Sequence, residues 1–279
     1  MITWFSLLQQ GKAAIADTAG TDAVFDAKLL LFSVMHTDST GFLMRQHETP
    51  PPEAADKYRL LLDRRQAGEP LQYILGSVMF HGLSFSVGPG VLIPRPETEE
   101  LTDLAIDALK TKRSPVVFDL CAGSGCIGIS IADALPSAEV YLFEKYEGAL
   151  HYLRLNVPDR LKPRVRILQC DIQLPPPSVP VPDAIVSNPP YIPQNELPLL
   201  QKEVRREPET ALDGGEDGLI FYKKIASFWL PLLKNGGRAF VECGEGQGDA
   251  ICRLFSPFGL PLIRKDLYGS DRFVLFEKS

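Results

Sequence analysis

Several absences narrow the class of this 279-residue chain before any motif is read. No two of its five cysteines, Cys121, Cys126, Cys170, Cys243 and Cys252, are spaced as Cys-x-x-Cys. An odd number of thiols without pairing fits neither a disulfide framework nor a zinc site, and such usage points to a reduced, cytoplasmic compartment. His36, His47, His81 and His151 are scattered without ligand spacing, so no metal is expected. No segment approaches a membrane-spanning run, and Met1 to Gly11 have no basic flank leading into a long apolar stretch. Positive charge is not in excess either. With 29 Lys+Arg against 35 Asp+Glu the net charge is −6, which argues against a broad phosphate-binding surface. There is no internal repeat.

What remains reads as an ordinary globular chain, 45% hydrophobic and 23% charged, long enough for one large domain with a smaller companion. Residues 1–75 are helical in pattern, with apolar positions at helical spacing over Ala23 to Met35 and Ala54 to Leu62. Thr21 or Asp22 can cap the first of these helices, and Pro50-Pro51-Pro52 marks the start of the second. From Leu71 to Val91 the pattern changes to apolar residues interrupted by Gly76, Gly82 and Gly90, which predicts a β-hairpin and makes 76–93 a connector. Beyond Pro94, apolar strands alternate with helical stretches, as in a mainly parallel α/β sheet. Strands are expected at Val116–Leu120, Val140–Phe143, Val165–Gln169, from Asp183, at Arg238–Cys243 and at Phe273–Glu277. Helices are expected from Pro96 to about Leu109, then at Gly125–Ala134, Gly148–Asn156, Leu219–Leu233 and Gly248–Phe255, with a long loop over Pro193–Gly218.

Four strand ends carry chemistry. The tetrapeptide Asn188-Pro189-Pro190-Tyr191 follows the Asp183 strand, and its prolines end that strand while removing backbone donors from the turn. Because Asn188 and Pro189 each precede a proline, both are held extended. The outcome is a rigid claw of acceptors. The Asn188 side-chain oxygen and the Pro189 carbonyl can take the two N–H donors of a planar NH2 group, with Tyr191 stacking on its plane; the alternative for Tyr191 is a core aromatic after a turn. Asp119-Leu120-Cys121-Ala122-Gly123-Ser124-Gly125 forms a small-residue turn at a sheet's carboxyl edge, where open α/β sheets bind ligands. Glu144 closes the next strand, in position to accept from ribose hydroxyls. Asp171 closes the third, beside an adenine amino group or ribose edge, or as a simple turn cap. Arg95 reads equally as a substrate-facing residue or a cation at a helix start. Glu203, Arg205, Arg206 and Glu207 read as a solvated loop face.

Together the glycine turn, Glu144, Asp171 and the Asn-Pro-Pro-Tyr claw resemble the class I S-adenosylmethionine-dependent methyltransferase fold, a Rossmann-like, mainly parallel α/β sheet. The stretches Gly68-Glu69-Pro70-Leu71-Gln72-Tyr73-Ile74-Leu75-Gly76 and Val91-Leu92-Ile93-Pro94-Arg95-Pro96-Glu97-Thr98-Glu99 sharpen this to a resemblance to the PrmC (HemK) family. That family methylates the amide nitrogen of the glutamine in the Gly-Gly-Gln motif of peptide chain release factors. The resemblance implies an S-adenosyl-L-methionine site, with the methionine end on Cys121, Ala122, Gly123, Ser124 and Gly125 near Asp119. The ribose would lie on Glu144 and the adenine beside Asp171 and Ile172. It implies that Asn188, Pro189, Pro190 and Tyr191 grip the substrate glutamine, that Asn188 also borders the cofactor, and that Arg95 faces the substrate. It further implies a small N-terminal helical domain, residues 1–75, that docks the release factor, and a catalytic domain over 94–279 working as a monomer. Two departures stand out: the family usually has glycine in place of Cys121, and often an aromatic in place of Ile172.

The competing readings differ in substrate. An adenine amino methyltransferase acting on DNA or RNA meets the same NH2 group, but needs a basic module to hold the backbone. Residues 1–75 hold seven Lys+Arg against nine Asp+Glu, so no direct nucleic-acid contact is expected. A glutamine methyltransferase of a ribosomal protein is a sister reading. An NAD-dependent dehydrogenase accounts for Gly123-Ser124-Gly125-Cys126-Ile127-Gly128 and Glu144 but leaves the claw without a purpose, and a non-enzymatic binding module needs neither.

Overall fold

A computed structural model describes residues 2–18 and 22–279 of the chain. They form two compact units, Met1–Ser77 with Leu200–Arg206, and Val78–Leu199 with Glu207–Ser279.

The first unit is helical. Helices α1 (Trp4–Ala14), α2 (Ala23–Met35), α3 (Ser39–Arg45), α4 (Pro52–Gln66) and α5 (Leu71–Leu75) follow one another. Asp22 starts α2, its carboxylate accepting the N–H groups of Val24 and Phe25; the Thr21 alternative lies outside the described residues. Trp4, Leu7, Leu30, Leu31, Leu61 and Leu62 are among the side chains filling the core. Tyr58 Oη donates to the Ala27 carbonyl at 3.0 Å within it. Arg65 is buried and held by Asp26 at 2.7 Å and Glu203 at 2.6 Å, which ties residues 200–206 into this unit.

Next along the chain, β1 (Ser77–Phe80) and β2 (Leu83–Ser86) form the hairpin. His81 (φ 50°) and Gly82 (φ 75°) both adopt positive φ, as a two-residue I′ turn requires. The hairpin is shorter than the sequence pattern predicts, because Leu71–Leu75 is the helix α5, opened after Pro70 and stopped by Gly76 at φ 77°. The main sheet contains β3 (Val116–Leu120), β4 (Glu139–Glu144), β5 (Val165–Gln169), β6 (Ala184–Ser187), β7 (Arg238–Glu242), β8 (Gly259–Lys265) and β9 (Asp271–Lys278). Their order is β5-β4-β3-β6-β7-β9-β8. The first five are parallel, β9 runs antiparallel to β7, and β8 antiparallel to β9.

Helices α6 (Glu97–Leu109), α7 (Cys126–Ala134), α8 (Glu147–Asn156), α9 (Ile220–Lys224) and α10 (Gly248–Phe255) cover the sheet. Period-2 alternation sends Val117, Val140, Leu142, Ala184 and Val186 into one core, shared with Leu101, Ala105 and Ile129. Phe118, Leu120, Phe143, Ile185 and Val241 enter the other, around Trp229, Tyr222 and Phe255. The predicted helix over 219–233 is broken: α9 passes into a π turn, Ile225–Trp229, and then a 3₁₀ turn, Leu230–Leu232, which contains Pro231.

The strand order reverses beside β3, whose neighbours are β4 and β6. Leu120 is level with Phe143 on one side and Ser187 on the other. The chain therefore leaves β3, β4, β5 and β6 at one edge of the sheet, at the switch point where open α/β sheets accommodate ligands.

Candidate active site

Directly after β3 the chain makes a tight turn. Cys121 (φ 59°), Gly123 (φ 57°) and Gly125 (φ 82°) are all left-handed, and the Gly125 N–H donates to the Ala122 carbonyl at 2.7 Å. Cysteine thus occupies a backbone conformation that glycine would take without strain. Behind the turn, Asp119 is fully buried on a sheet face that is otherwise apolar. Its Oδ2 accepts the Gly128 N–H at 2.9 Å, an approach possible only because residue 128 has no Cβ: one would sit 2.3 Å from Leu142 Cδ2 and 2.9 Å from Asp119 Oδ2. Asp119 Oδ1 has no hydrogen-bond partner among the described residues. Burial pushes this carboxyl up to about 7, the Gly128 N–H opposes the rise, and nearby Glu144 adds to it.

The Glu144 carboxylate is held by three backbone donors, Gly123 N–H at 2.9 Å, Lys145 N–H at 2.7 Å and Tyr146 N–H at 2.8 Å. Burial pushes it up and those three bonds oppose the rise. A carboxylate has about four acceptor positions, so it retains capacity for a further donor. Asp171 is paired with Lys145 Nζ at 2.8 Å and accepts the Gln173 N–H at 2.9 Å, so it does cap its turn. Burial raises its carboxyl, but these partners outweigh it and the net shift is downward. Ile172 is buried, its carbonyl accepting Trp229 Nε1–H at 2.9 Å.

Cys121, Ala122, Gly123, Ser124, Glu144, Asp171, Ile172, Asn188 and Pro190 all line one cleft. Asp119, Gly125, Pro189, Tyr191 and Arg95 are not among its lining residues. Asp119 lies behind the turn, and Gly125, its last residue, packs against Leu153 and Ile129. Pro189 is buried. Tyr191 is half-buried, packs on the core around Trp229 and Tyr222, and is fastened by Gln247 Nε2 donating to its carbonyl at 2.8 Å. That position fits the core-aromatic alternative rather than a ring open to the cleft.

Two residues given no role from the sequence, Thr98 and Glu242, and one misread from it, Glu207, complete the site. Thr98 and Glu242 are buried. Thr98 Oγ1 donates to Glu242 Oε2 at 2.7 Å and accepts from Asn188 Nδ2 at 3.2 Å. Burial pushes the Glu242 carboxyl up to about 7, with Thr98, Arg272 and Arg95 lowering it and Glu97 raising it. Glu207 is buried too, contrary to a solvated loop face. Its carboxylate accepts the Ile93 N–H at 2.9 Å and pairs with Arg95. Arg95 is therefore engaged by Glu207, and the adjoining Pro208, Thr210 and Ala211 form one wall of the cleft. Glu242 closes β7, the same kind of position that singles out Glu144 and Asp171. Thr98 lies in the Pro94–Glu99 stretch already marked as distinctive.

Comparison with known proteins finds the PrmC N-terminal domain over residues 6–76 and the methyltransferase small domain over 88–225. A protein of Thermodesulfovibrio yellowstonii named release factor glutamine methyltransferase is 38% identical over 81% of this chain and 83% of its own length. The protein of that name from Clostridium botulinum is 34% identical over 98% of both chains, and that from Bordetella pertussis is 40% identical over 81% of this chain and 85% of its own. Among solved structures, a methyltransferase from Pyrococcus furiosus superposes with a TM-score of 0.51 at 18% identity, covering 80% of this chain and 98% of the other. The fold is thus that of the class I methyltransferases. No helix among the described residues is long and apolar enough to cross a membrane.

Proposed function

Since the chain belongs to the release factor glutamine methyltransferase family, we propose that it methylates the side-chain amide nitrogen of the Gly-Gly-Gln glutamine in class I peptide chain release factors, drawing the methyl from S-adenosyl-L-methionine. The observation that carries this reading is the position of Asn188. It lines the same cleft as Glu144, one strand to the other side of β3, and its amide nitrogen is engaged by Thr98.

The residues present fit the cofactor. Glu144 has acceptor capacity left for ribose hydroxyls, Asp119 Oδ1 is an unpartnered buried acceptor near the turn, and the left-handed turn at Cys121 to Gly125 leaves backbone without a side chain at Gly123, which lines the cleft. When bound there, S-adenosylmethionine supplies an electrophilic methyl group on a sulfonium. Everything else falls to the chain. An amide nitrogen is a poor nucleophile, since its lone pair is delocalised into the carbonyl, and no side-chain base is suited to deprotonating it beforehand. Asn188 Oδ1 and the Pro189 carbonyl would accept the two N–H bonds of the substrate amide, enriching its nitrogen and orienting it, and the proton lost from the methylated nitrogen would pass to solvent water. Positioning of this kind is worth about 7–11 kcal/mol of barrier, with preorganised acceptor dipoles adding to it. Tyr191, packed against the core, braces the claw from behind. Arg95, held by Glu207, stands at the substrate side, and residues 1–75 dock the factor.

The test is methyl transfer from labelled cofactor to a purified release factor and to the same factor with its Gly-Gly-Gln glutamine changed to alanine. Label in the first and none in the second is expected. Equal labelling moves the target elsewhere, and label transferred only to adenine-containing DNA or RNA refutes the protein substrate.

A further inference from the structure

An asparagine side chain is nearly symmetric in shape but opposite in polarity at its two ends, so steric fit alone does not decide which end of Asn188 faces a substrate. If Nδ2 faced the cleft, it would meet an incoming NH2 group donor to donor. What decides the matter lies behind it. Above about pH 7, where it is ionised, Glu242 has only acceptors, and it takes the single hydroxyl proton of Thr98 at 2.7 Å. Having spent that proton, Thr98 Oγ1 faces Asn188 with lone pairs alone, so it can bind Nδ2, as it does at 3.2 Å, but not Oδ1. The chain Asn188 to Thr98 to Glu242 therefore has one direction. It fixes Oδ1 as the end left for the substrate.

The anchorage is stiff. Thr98 sits in the first turn of α6, its own N–H donating to the Arg95 carbonyl at 3.1 Å and its carbonyl accepting from Thr102 Oγ1 at 3.0 Å. Glu242 ends β7, and its carbonyl accepts from Tyr222 Oη at 2.7 Å. Both side chains are buried, with Thr98 1% and Glu242 2% exposed, so water does not compete for the two bonds.

We infer that Thr98 and Glu242 are positioning residues that set the polarity of Asn188, and through it select a neutral NH2 group over a carbonyl or carboxylate as the atom group presented for methylation. This inference rests on the reading of Asn188 given above and deepens it. Glu242 lies outside the cleft, and Thr98, which borders it, acts through its bond to Asn188.

The experiment measures kcat and KM on a purified release factor, together with S-adenosylhomocysteine affinity, for the full-length chain and for Asn188→Ala, Thr98→Val, Thr98→Ser and Glu242→Gln. Valine keeps the volume of threonine without the hydroxyl, serine keeps the hydroxyl, and glutamine at 242 can donate as well as accept, so the direction of the chain is lost. Thr98→Val and Glu242→Gln are expected to lose about ten- to a hundredfold in kcat, the range set by a hydrogen bond to a charged group, with KM and S-adenosylhomocysteine affinity little changed. Thr98→Ser is expected to retain most of kcat. Full activity in Asn188→Ala sinks the reading of Asn188 itself. Loss in Asn188→Ala with unchanged kcat in Thr98→Val and Glu242→Gln sinks only the positioning chain. Loss of S-adenosylhomocysteine binding in Thr98→Val, or failure of Thr98→Ser to retain kcat, assigns Thr98 to the support of the fold and also overturns the inference.

Discussion

Changing Asp119 to asparagine converts a buried, half-satisfied carboxyl into a measurable pH dependence of stability. The folded protein holds this group at about 7, against an ordinary 3.8, so between those values the folded state keeps a proton that the unfolded state has released. Stability then falls as pH rises through that window and is flat above it, because the binding of protons favours whichever state holds more of them. The contribution is fully present below pH ~4 and fully lost above pH ~7. Asparagine keeps an oxygen for the Gly128 N–H and does not titrate. Its Nδ2 takes the place of the unpartnered Oδ1 at both ends of the pH range, a pH-independent cost that drops out of the comparison. From pH 5 to pH 8 the variant should therefore gain on the parent by two pH units at about 1.36 kcal/mol each, or about 3 kcal/mol. At roughly 2–4 °C per kcal/mol for a domain of this size, the difference in Tm between Asp119→Asn and parent should widen by about 6–12 °C over that range. Glu242, also pushed up to about 7, adds the same slope to both proteins and cancels. The assay is thermal unfolding of both, without added cofactor, at pH 5, 6, 7 and 8. A Tm difference that stays constant across the series would mean that Asp119 is ionised throughout and that its burial is compensated by contacts other than the Gly128 N–H.

Other substitutions test separate parts of the argument. Gly128→Ala should disrupt the Asp119 contact and push β4, since the new Cβ meets Leu142 Cδ2 at 2.3 Å; a loss of about 1–3 kcal/mol from overpacking is expected in urea unfolding, with weaker S-adenosylhomocysteine binding. Glu207→Ala strips the partner from Ile93 N–H and from Arg95, so the cleft wall at Pro208 to Ala211 should loosen, seen as faster amide exchange over 207–211 and a raised KM for the release factor; unchanged exchange would show that the loop is held by its own turns. Arg65→Leu in the helical unit leaves Asp26 as a buried, unpaired carboxylate and strips the half-buried Glu203 of its partner, and about 3–5 kcal/mol of destabilisation should follow. That loss should shrink when Asp26→Asn is added, as a coupled pair requires.

What a single sequence carried, and what it did not, divides along the distance between interacting residues. The helices α2 and α10 and the strands β3 and β5 were legible to the residue, because apolar periodicity is written within a window of a dozen positions. Local chemistry misled where two signals disagreed. Tyr73 and Ile74 favour strand, yet Pro70 and Gly76 bracket them as a single helical turn. Gly259 and Pro261 hid β8, which tolerates a proline because it is the edge strand of the sheet. The positions of Glu144, Asp171 and Asn188 were readable because each ends a strand, and parallel strands deliver their ends to one edge. Their supporting partners were not. Thr98 and Glu242 are 144 positions apart, Ile93 and Glu207 are 114 apart, and nothing in the local composition of either member announces the other. Glu207 in particular sits in a run of charges, Glu203, Arg205, Arg206 and Glu207, that resembles a solvated face, although Glu203 and Glu207 are engaged by Arg65 and Arg95 respectively. The claw's prolines specify a rigid turn from the sequence alone, but the end of the Asn188 amide that a substrate meets is decided by a hydroxyl ninety residues away. The part of the site on which discrimination between an amide and a carboxylate depends is thus written only in the folded chain.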